Sequence, residues 1–343
     1  MDALARAPAS ERAAIFEETA ARRNVTGPII EKDFWVCWTL RRLFALQDPT
    51  VGFIFKGGTS LSKAYGLIGR FSEDVDLSLD RHDLGFCEGR DPAAKDISGK
   101  HRKALLKELE EATAAYVGEP LLDRLRGAFA GGLGSDAFGL DVDDRDPQTL
   151  LFRFPAGLAT ASYGGGYLGP SVKLEFGSRS DHLPAEDRVI VPYAAETFPE
   201  VVANAQTTVR VLAAERTFWE KATILHQLAH RPPEKALSDR TSRHYADLVA
   251  LARSDLRARA LARPDLLAAV AEHKSRLFRD PKARYEEARH GTLVLTPPAP
   301  LRRLLASDYR AMREMFFEEP ITFETIMNEL VDLEAEINAP QVR

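Results

Sequence analysis

Apolar positions in the first fifty residues recur at helical spacing. Ile15, Phe16 and Thr19 follow Ser10, and after Gly27-Pro28 a second stripe runs through Ile30, Phe34, Trp35, Trp38, Leu40 and Leu43. Two amphipathic helices are therefore expected within Ser10 to Leu46, with Ser10 capping the first and Asp48-Pro49 ending the second. The period then changes. Val51-Gly52-Phe53-Ile54-Phe55 is a short, nearly continuous apolar run and reads as a buried strand. Asp74-Val75-Asp76-Leu77-Ser78-Leu79 alternates polar and apolar residues and reads as a strand with one polar face. Between them a helix opens at Thr59 or Ser60 and runs through Leu61, Ala64, Tyr65 and Leu67.

Lys100 to Tyr116 has helical spacing, and further strands are expected at Leu150–Phe154, Val172–Phe176 and Val189–Val191. Asp136 to Pro147 reads as an acidic, glycine-bearing loop, and Tyr163-Gly164-Gly165-Gly166-Tyr167 as a hairpin tip or flexible loop. From Val209 the pattern is helical almost to the end, with helices expected at Arg210–His230, Tyr245–Arg253, Pro264–His273, Leu301–Phe317 and Phe323–Ile337. The pattern as a whole predicts an α+β chain in three parts: helices over 1–48 packed on a core, a mixed-sheet domain over 49–204, and a helical domain over 205–343.

Composition narrows the class. The chain has 343 residues, 45% of them apolar, enough for two packed domains. A formal charge of −5 argues against a general polyanion binder. Two cysteines, Cys37 and Cys87, give neither a disulfide framework nor metal-ligand spacing, which fits a reducing cytoplasm. The first residues lack the apolar run of a signal peptide, and no stretch of eighteen apolar residues suggests a membrane span.

The chemistry concentrates in one short unit. Lys56-Gly57-Gly58-Thr59-Ser60 joins a strand end to a helix start, and fourteen residues separate Thr59 from Asp74. Side chains alternate along a strand, so Asp74, Asp76 and Ser78 share one face while Val75, Leu77 and Leu79 share the other. Two ionised carboxylates about 6 Å apart repel by about 3 kcal/mol at an effective dielectric near 20. Solvation or a bound cation must offset that. Mg²⁺ is held by one or two carboxylates together with substrate phosphates and water. The two glycines allow close approach of a ligand to the backbone, and N–H groups at the helix start can bind phosphate. Walker A spacing is absent. A Gly-Gly turn or an Asp-x-Asp pair alone is usually just a turn or a solvated edge. Their order within one unit points to nucleotidyl transfer.

Other candidates are weaker. Lys173 and Glu175 share one face of a strand. Glu175 is a candidate third metal ligand or general base, and Lys173 a phosphate ligand; the alternative is a solvated polar face. Arg179 is a similar phosphate candidate. Lys221 has the reach to touch a triphosphate, and Asp247 to orient Lys221 or the nucleotide, against an ordinary Arg243–Asp247 helix pair. Arg240 to Arg303 holds fourteen Lys/Arg against seven Asp/Glu, and Leu304 to Ala339 two against nine. The basic block suits a polyanionic acceptor such as RNA, or else pairs with the acidic block. His82-Asp83 lacks the further ligands of a metal phosphohydrolase.

At these residues the chain resembles the AbiEii-type nucleotidyltransferases, toxins of type IV toxin–antitoxin and abortive-infection systems. The resemblance rests on Ile30-Glu31-Lys32-Asp33-Phe34-Trp35-Val36, Phe55 to Lys63, Arg70 to Leu77, Lys173-Leu174-Glu175, Glu220-Lys221, His244 to Leu248 and the ending from Met312 to Asn338. It implies a DNA polymerase β-like nucleotidyltransferase core with a mixed sheet and a helical C-terminal half. Carried over by motif, Gly58 and Thr59 would hold phosphate; Lys56, Gly57, Ser60, Arg70, Ser72, Lys173 and Arg179 are the further residues expected to bind nucleotide. By the same motifs Asp74 and Asp76 would bind Mg²⁺, and Lys221 and Asp247 would match the later catalytic motifs, with Glu175, by its strand position, the expected third metal ligand or base. The expected activity is transfer of NMP from an NTP to a hydroxyl, with tRNA as the expected acceptor and a cognate antitoxin as partner. The alternatives are an NTP-binding regulator on a transferase fold and an antibiotic-type, small-molecule nucleotidyltransferase.

Overall fold

The computed structural model describes residues 1–46, 51–72, 74–163, 169–232 and 235–340. The expected Asp48-Pro49 helix end and the Gly164-Gly165-Gly166 run lie outside the described residues. The chain divides into two compact units. One comprises Met1–Ala64, Phe71–Asp91 and Ser98–Val211, and the other Tyr65–Arg70, Pro92–Ile97 and Leu212–Arg343.

The first unit is α+β. It opens with α1 (Asp2–Arg6), α2 (Ala9–Arg23) and α3 (Gly27–Phe44). Helix α2 begins one residue before Ser10, which makes no cap, and Asn24 ends it in the left-handed conformation at φ 54°. Helix α3 is buried on all sides from Pro28 to Leu40, which explains why its apolar stripe is so wide. Trp35 stacks on Phe154 and meets Phe34, Trp38 and Phe152 edge-on, and Trp38 also stacks on Phe152. Those rings fasten the helix to one face of the sheet.

The sheet contains β1 (Phe53–Lys56), β2 (Asp74–Leu79), β3 (Gly139–Asp143), β4 (Asp146–Arg153), β5 (Ser171–Gly177), β6 (Ala185–Ile190) and β7 (Thr207–Leu212). Its seven strands run in the order β3-β4-β5-β2-β1-β7-β6. It is mixed: β1 is antiparallel to β2 and parallel to β7, while β2 is parallel to β5. Helix α4 (Gly57–Lys63) links β1 toward β2, and α5 (Gly99–Tyr116), α6 (Leu122–Leu133) and α7 (Tyr193–Thr197) complete the unit. Strand β5 buries Val172, Leu174 and Phe176 and leaves Lys173 and Glu175 half-exposed, as its period-two pattern requires.

Three expectations are corrected here. Asp136 to Pro147 is not a loop, because Gly139–Asp143 pairs antiparallel with β4 in a hairpin. Two apolar residues, Leu140 and Val142, are too few to stand out as a strand. Arg210 is not in a helix. Thr207–Leu212 is a strand beside β1, with Thr207, Val209 and Val211 buried and Thr208 and Arg210 exposed. It runs into the next helix with no glycine or proline between, so the two periods merge in the sequence. Helix α4 starts at Gly57, not at Thr59, and ends at Lys63.

The second unit is helical, with α8 (Ala214–Ala229), α9 (Arg243–Ala252), α10 (Leu256–Leu261), α11 (Pro264–Leu277), α12 (Ala299–Ala311) and α13 (Phe323–Asn338). Helix α8 packs against α9, α10 and α11, and its Trp219 donates through Nε1 to the Ala260 carbonyl at 3.1 Å. Part of the basic block pairs with the acidic one. Arg253 Nε donates to Glu329 at 2.9 Å and Arg257 Nε to Glu336 at 2.8 Å. No helix among the described residues is long and apolar enough to cross a membrane.

Candidate active site

The register of the sheet assembles the polar face. Asp76 is flanked by Lys56 on β1 and Glu175 on β5, and Glu175 in turn by Thr149 on β4. Asp74 lies opposite Lys173. Directly paired residues point to the same side of a sheet, with Cβ atoms about 5 Å apart. Asp74, Asp76, Lys56, Lys173 and Glu175 are thus gathered on one face. The opposite face, carrying Val75, Leu77, Leu174 and Phe176, is buried.

Gly57 sets the edge of this site. Its φ of +79° is unfavourable for side-chain-bearing residues, and a Cβ there would lie 1.9 Å from Asp76 Oδ2. The Asp76 carboxylate therefore rests against bare backbone at the first turn of α4. Thr59 is buried and bonds Ser72 Oγ at 2.9 Å and the Asp74 carbonyl. Ser60, also buried, donates to the Gly57 carbonyl at 2.9 Å. Thr59 ties the glycine turn to the start of β2, and Ser60 bonds back within the turn, so the backbone is what the turn offers a ligand.

Lys173 Nζ donates to Glu175 Oε1 at 2.6 Å, both side chains being 38% exposed. Burial works to lower the Lys173 pKa, but Glu175, Asp74 and Asp143 outweigh it and hold the ammonium above its ordinary value. Arg179 is turned to Glu110 on α5.

Among the described residues no three or more His, Cys, Asp or Glu side chains form a metal cage. The two β2 aspartates are nonetheless the donor set that Mg²⁺ takes when phosphate and water supply its other oxygens. Hard carboxylate oxygens beside a glycine turn fit that ion.

The remaining candidates lie in the helical unit. Arg70 grips Asp247 with two bonds, Nε to Oδ1 at 2.7 Å and Nη2 to Oδ2 at 2.9 Å. Lys221 Nζ donates to Asp247 Oδ2 at 2.7 Å and lies 3.3 Å from His244 Nδ1. Asp247 is therefore not simply the partner of Arg243. Burial favours the neutral carboxyl at Asp247, but Arg70 and Lys221 overcome it and hold the pKa far below the usual range. Burial and Lys221 hold His244 well below its ordinary value, so its ring is neutral and accepts from the ammonium.

Sequence reasoning did not anticipate the roles of the Glu31-Lys32-Asp33 run. All three residues are buried. Glu31 accepts from the Gly157 and Leu158 N–H groups at 2.6 and 3.1 Å and from the Tyr163 hydroxyl at 2.6 Å. Asp33 pairs with Lys63 at 2.7 Å. Three successive charges inside an otherwise apolar helical stripe were the available signal.

A family model described as "Nucleotidyl transferase AbiEii toxin, Type IV TA system" matches residues 38–329. Among solved structures, the nucleotidyltransferase toxin MenT4 of Mycobacterium tuberculosis H37Rv is similar over 95% of this chain and 99% of its own, at 17% identity and a TM-score of 0.37. No curated protein matches.

Proposed function

The chain belongs to the AbiEii family of nucleotidyltransferase toxins of type IV toxin–antitoxin systems, and from that premise we propose that it transfers NMP from a Mg²⁺-bound NTP to a hydroxyl of an RNA, with tRNA the expected acceptor. Family membership implies an NTP substrate and a cognate antitoxin. The observation that carries the reading is the placement of Asp74 and Asp76 on one face of β2, with Asp76 lying against Gly57.

The acceptor oxygen bonds to the α-phosphorus, the bond from that phosphorus to the bridging oxygen breaks, and pyrophosphate leaves. Glu175 takes the acceptor proton, and Lys173 beside it stabilises the carboxylate before transfer. Lys56 and Lys173 offset phosphate charge, and the Gly57-Gly58 backbone admits the phosphates closely. Mg²⁺ held by Asp74 and Asp76 would neutralise charge on the phosphate oxygens. Lys221 and Asp247, which the family motifs imply as catalytic, are given no step in this reading, since both are buried and bonded to one another.

The test is incubation with labelled NTPs and total RNA, with and without RNase. Label should enter RNase-sensitive material, and Asp76→Ala should lower it by about 10³-fold with the fold intact by circular dichroism. Undiminished labelling by Asp76→Ala would remove the proposal. RNase-resistant label would move the acceptor to another class of molecule.

A further inference from the structure

Lys63 closes the helix that Gly57 opens, and its side chain is 5% exposed. Its ammonium donates to Asp33 on α3 at 2.7 Å and sits 3.5 Å from the centre of the Tyr193 ring. The second Asp33 oxygen accepts from the Tyr193 N–H at 2.6 Å. One carboxylate thus joins α3, α4 and α7 inside a single unit. Burial works to lower the Lys63 pKa, but Asp33 reverses this and holds the ammonium above its ordinary value.

Burying such a pair is a poor way to gain stability, because desolvation offsets the attraction and apolar residues of similar size often do as well. What an ion pair adds is direction. One short bond and a ring contact hold the last residue of a helix only seven residues long, and the Tyr193 N–H fixes the carboxylate that receives that bond. The other end of that helix must meet a tight condition, since Asp76 Oδ2 occupies the space where Gly57 would carry a Cβ. A small slide of α4 would change that contact.

We infer that Asp33 and Lys63 are positioning residues for nucleotidyl transfer, holding the Gly57-Gly58 turn in register with Asp76. They touch neither nucleotide nor acceptor, and they act through the backbone of α4. The inference rests on the proposed transfer chemistry for its kinetic arm and on structure alone for its second arm.

Asp33→Asn would strand a buried ammonium and is expected to destabilise the fold, so the decisive protein is the double variant Asp33→Leu/Lys63→Met, which replaces the pair with an apolar contact. It should melt within a few degrees of the parent. Its kcat for RNA labelling should fall about 100-fold, the usual consequence of a misplacement near 1 Å, with KM for NTP changed less than threefold. Independently, hydrogen exchange at the Leu61 to Ala64 amides, which bond back to the Gly57 to Ser60 carbonyls of α4, should rise at least tenfold in the nucleotide-free protein while the α3 amides stay protected. A folded double variant with parental kcat and parental exchange in α4 overturns the inference. So does faster exchange spread through α3 and the sheet with a lowered melting point, which would make the pair a stability element only. If the parent labels no acceptor, the transfer reading fails, and the exchange arm still decides whether the pair holds the turn.

Discussion

Two charged clusters in this molecule use the same residue types to opposite ends. On the sheet face, Lys173 and Glu175 are each 38% exposed and lie in register with Asp74 and Asp76. In the helical unit, Arg70, Asp247 and Lys221 are 3%, 1% and 9% exposed and spend their bonds on one another. The first cluster is open enough to exchange water for a cation or a phosphate. The second is closed, and it carries two cations for one carboxylate. Its excess charge falls on Lys221. Burial pushes that pKa down, Arg70 adds to the push, and Asp247 only partly restores it. A carboxylate that must bind and release a ligand needs the first environment, whereas one that must hold a helix needs the second.

The sharpest way to break this contrast is to remove one carboxylate from each cluster. Loss of Asp76 should lower labelling by about 10³-fold and spare the fold. Asp247→Ala should do the reverse first, leaving Arg70 and Lys221 buried without a counter-ion at a cost of about 3–5 kcal/mol. Urea unfolding followed by circular dichroism measures it. A midpoint within error of the parent would show that the closed cluster is not holding its unit together, and would return Lys221 and Asp247 to a purely catalytic reading.

A smaller effect concerns acid. Burial is the main force holding His182, His226 and His244 below their ordinary values. The unfolded chain protonates histidine near pH 6.5, and the folded chain resists, so stability present above that pH is lost as pH falls. Each resisting ring contributes up to about 1.4 kcal/mol per pH unit. Calorimetric melting points should drop steadily from pH 7 to pH 5. Melting points that stay flat or rise on acidification would show that these rings protonate in place.

What the sequence disclosed and what it hid divide along similar lines. The Asp74–Leu79 strand was legible to the residue because its period-two pattern stands between glycine-rich and polar segments. The α4 helix was legible in outline, but its start on Gly57 was not, since glycine argues against a helix and only the approach of Asp76 explains it. Thr207–Leu212 was hidden because no breaker separates it from α8. The candidate residues on β2 and β5 could be named from alternation, but their register could not. Which strands neighbour β2 depends on long-range pairing that no local pattern encodes. The buried partners Arg70–Asp247 and Asp33–Lys63 were invisible as pairs for the same reason.

The smallest effect completes the comparison with charges on the surface. Arg257 and Glu336 are 41% and 45% exposed, and they join α10 to α13. Exposed pairs gain little, because water already solvates both groups and two long side chains lose freedom in meeting. A double-mutant cycle with Arg257→Ala and Glu336→Ala should therefore give a coupling of about 0.5 kcal/mol, shrinking further in 0.5 M salt as screening grows. The same cycle tests the basic block as an acceptor surface. With its guanidinium turned to Glu336, Arg257 should be removable with no change in RNA labelling. A tenfold rise in KM for RNA on Arg257→Ala would show instead that the arginine leaves its partner for phosphate, and that the pairing of the two blocks is a resting arrangement the acceptor displaces.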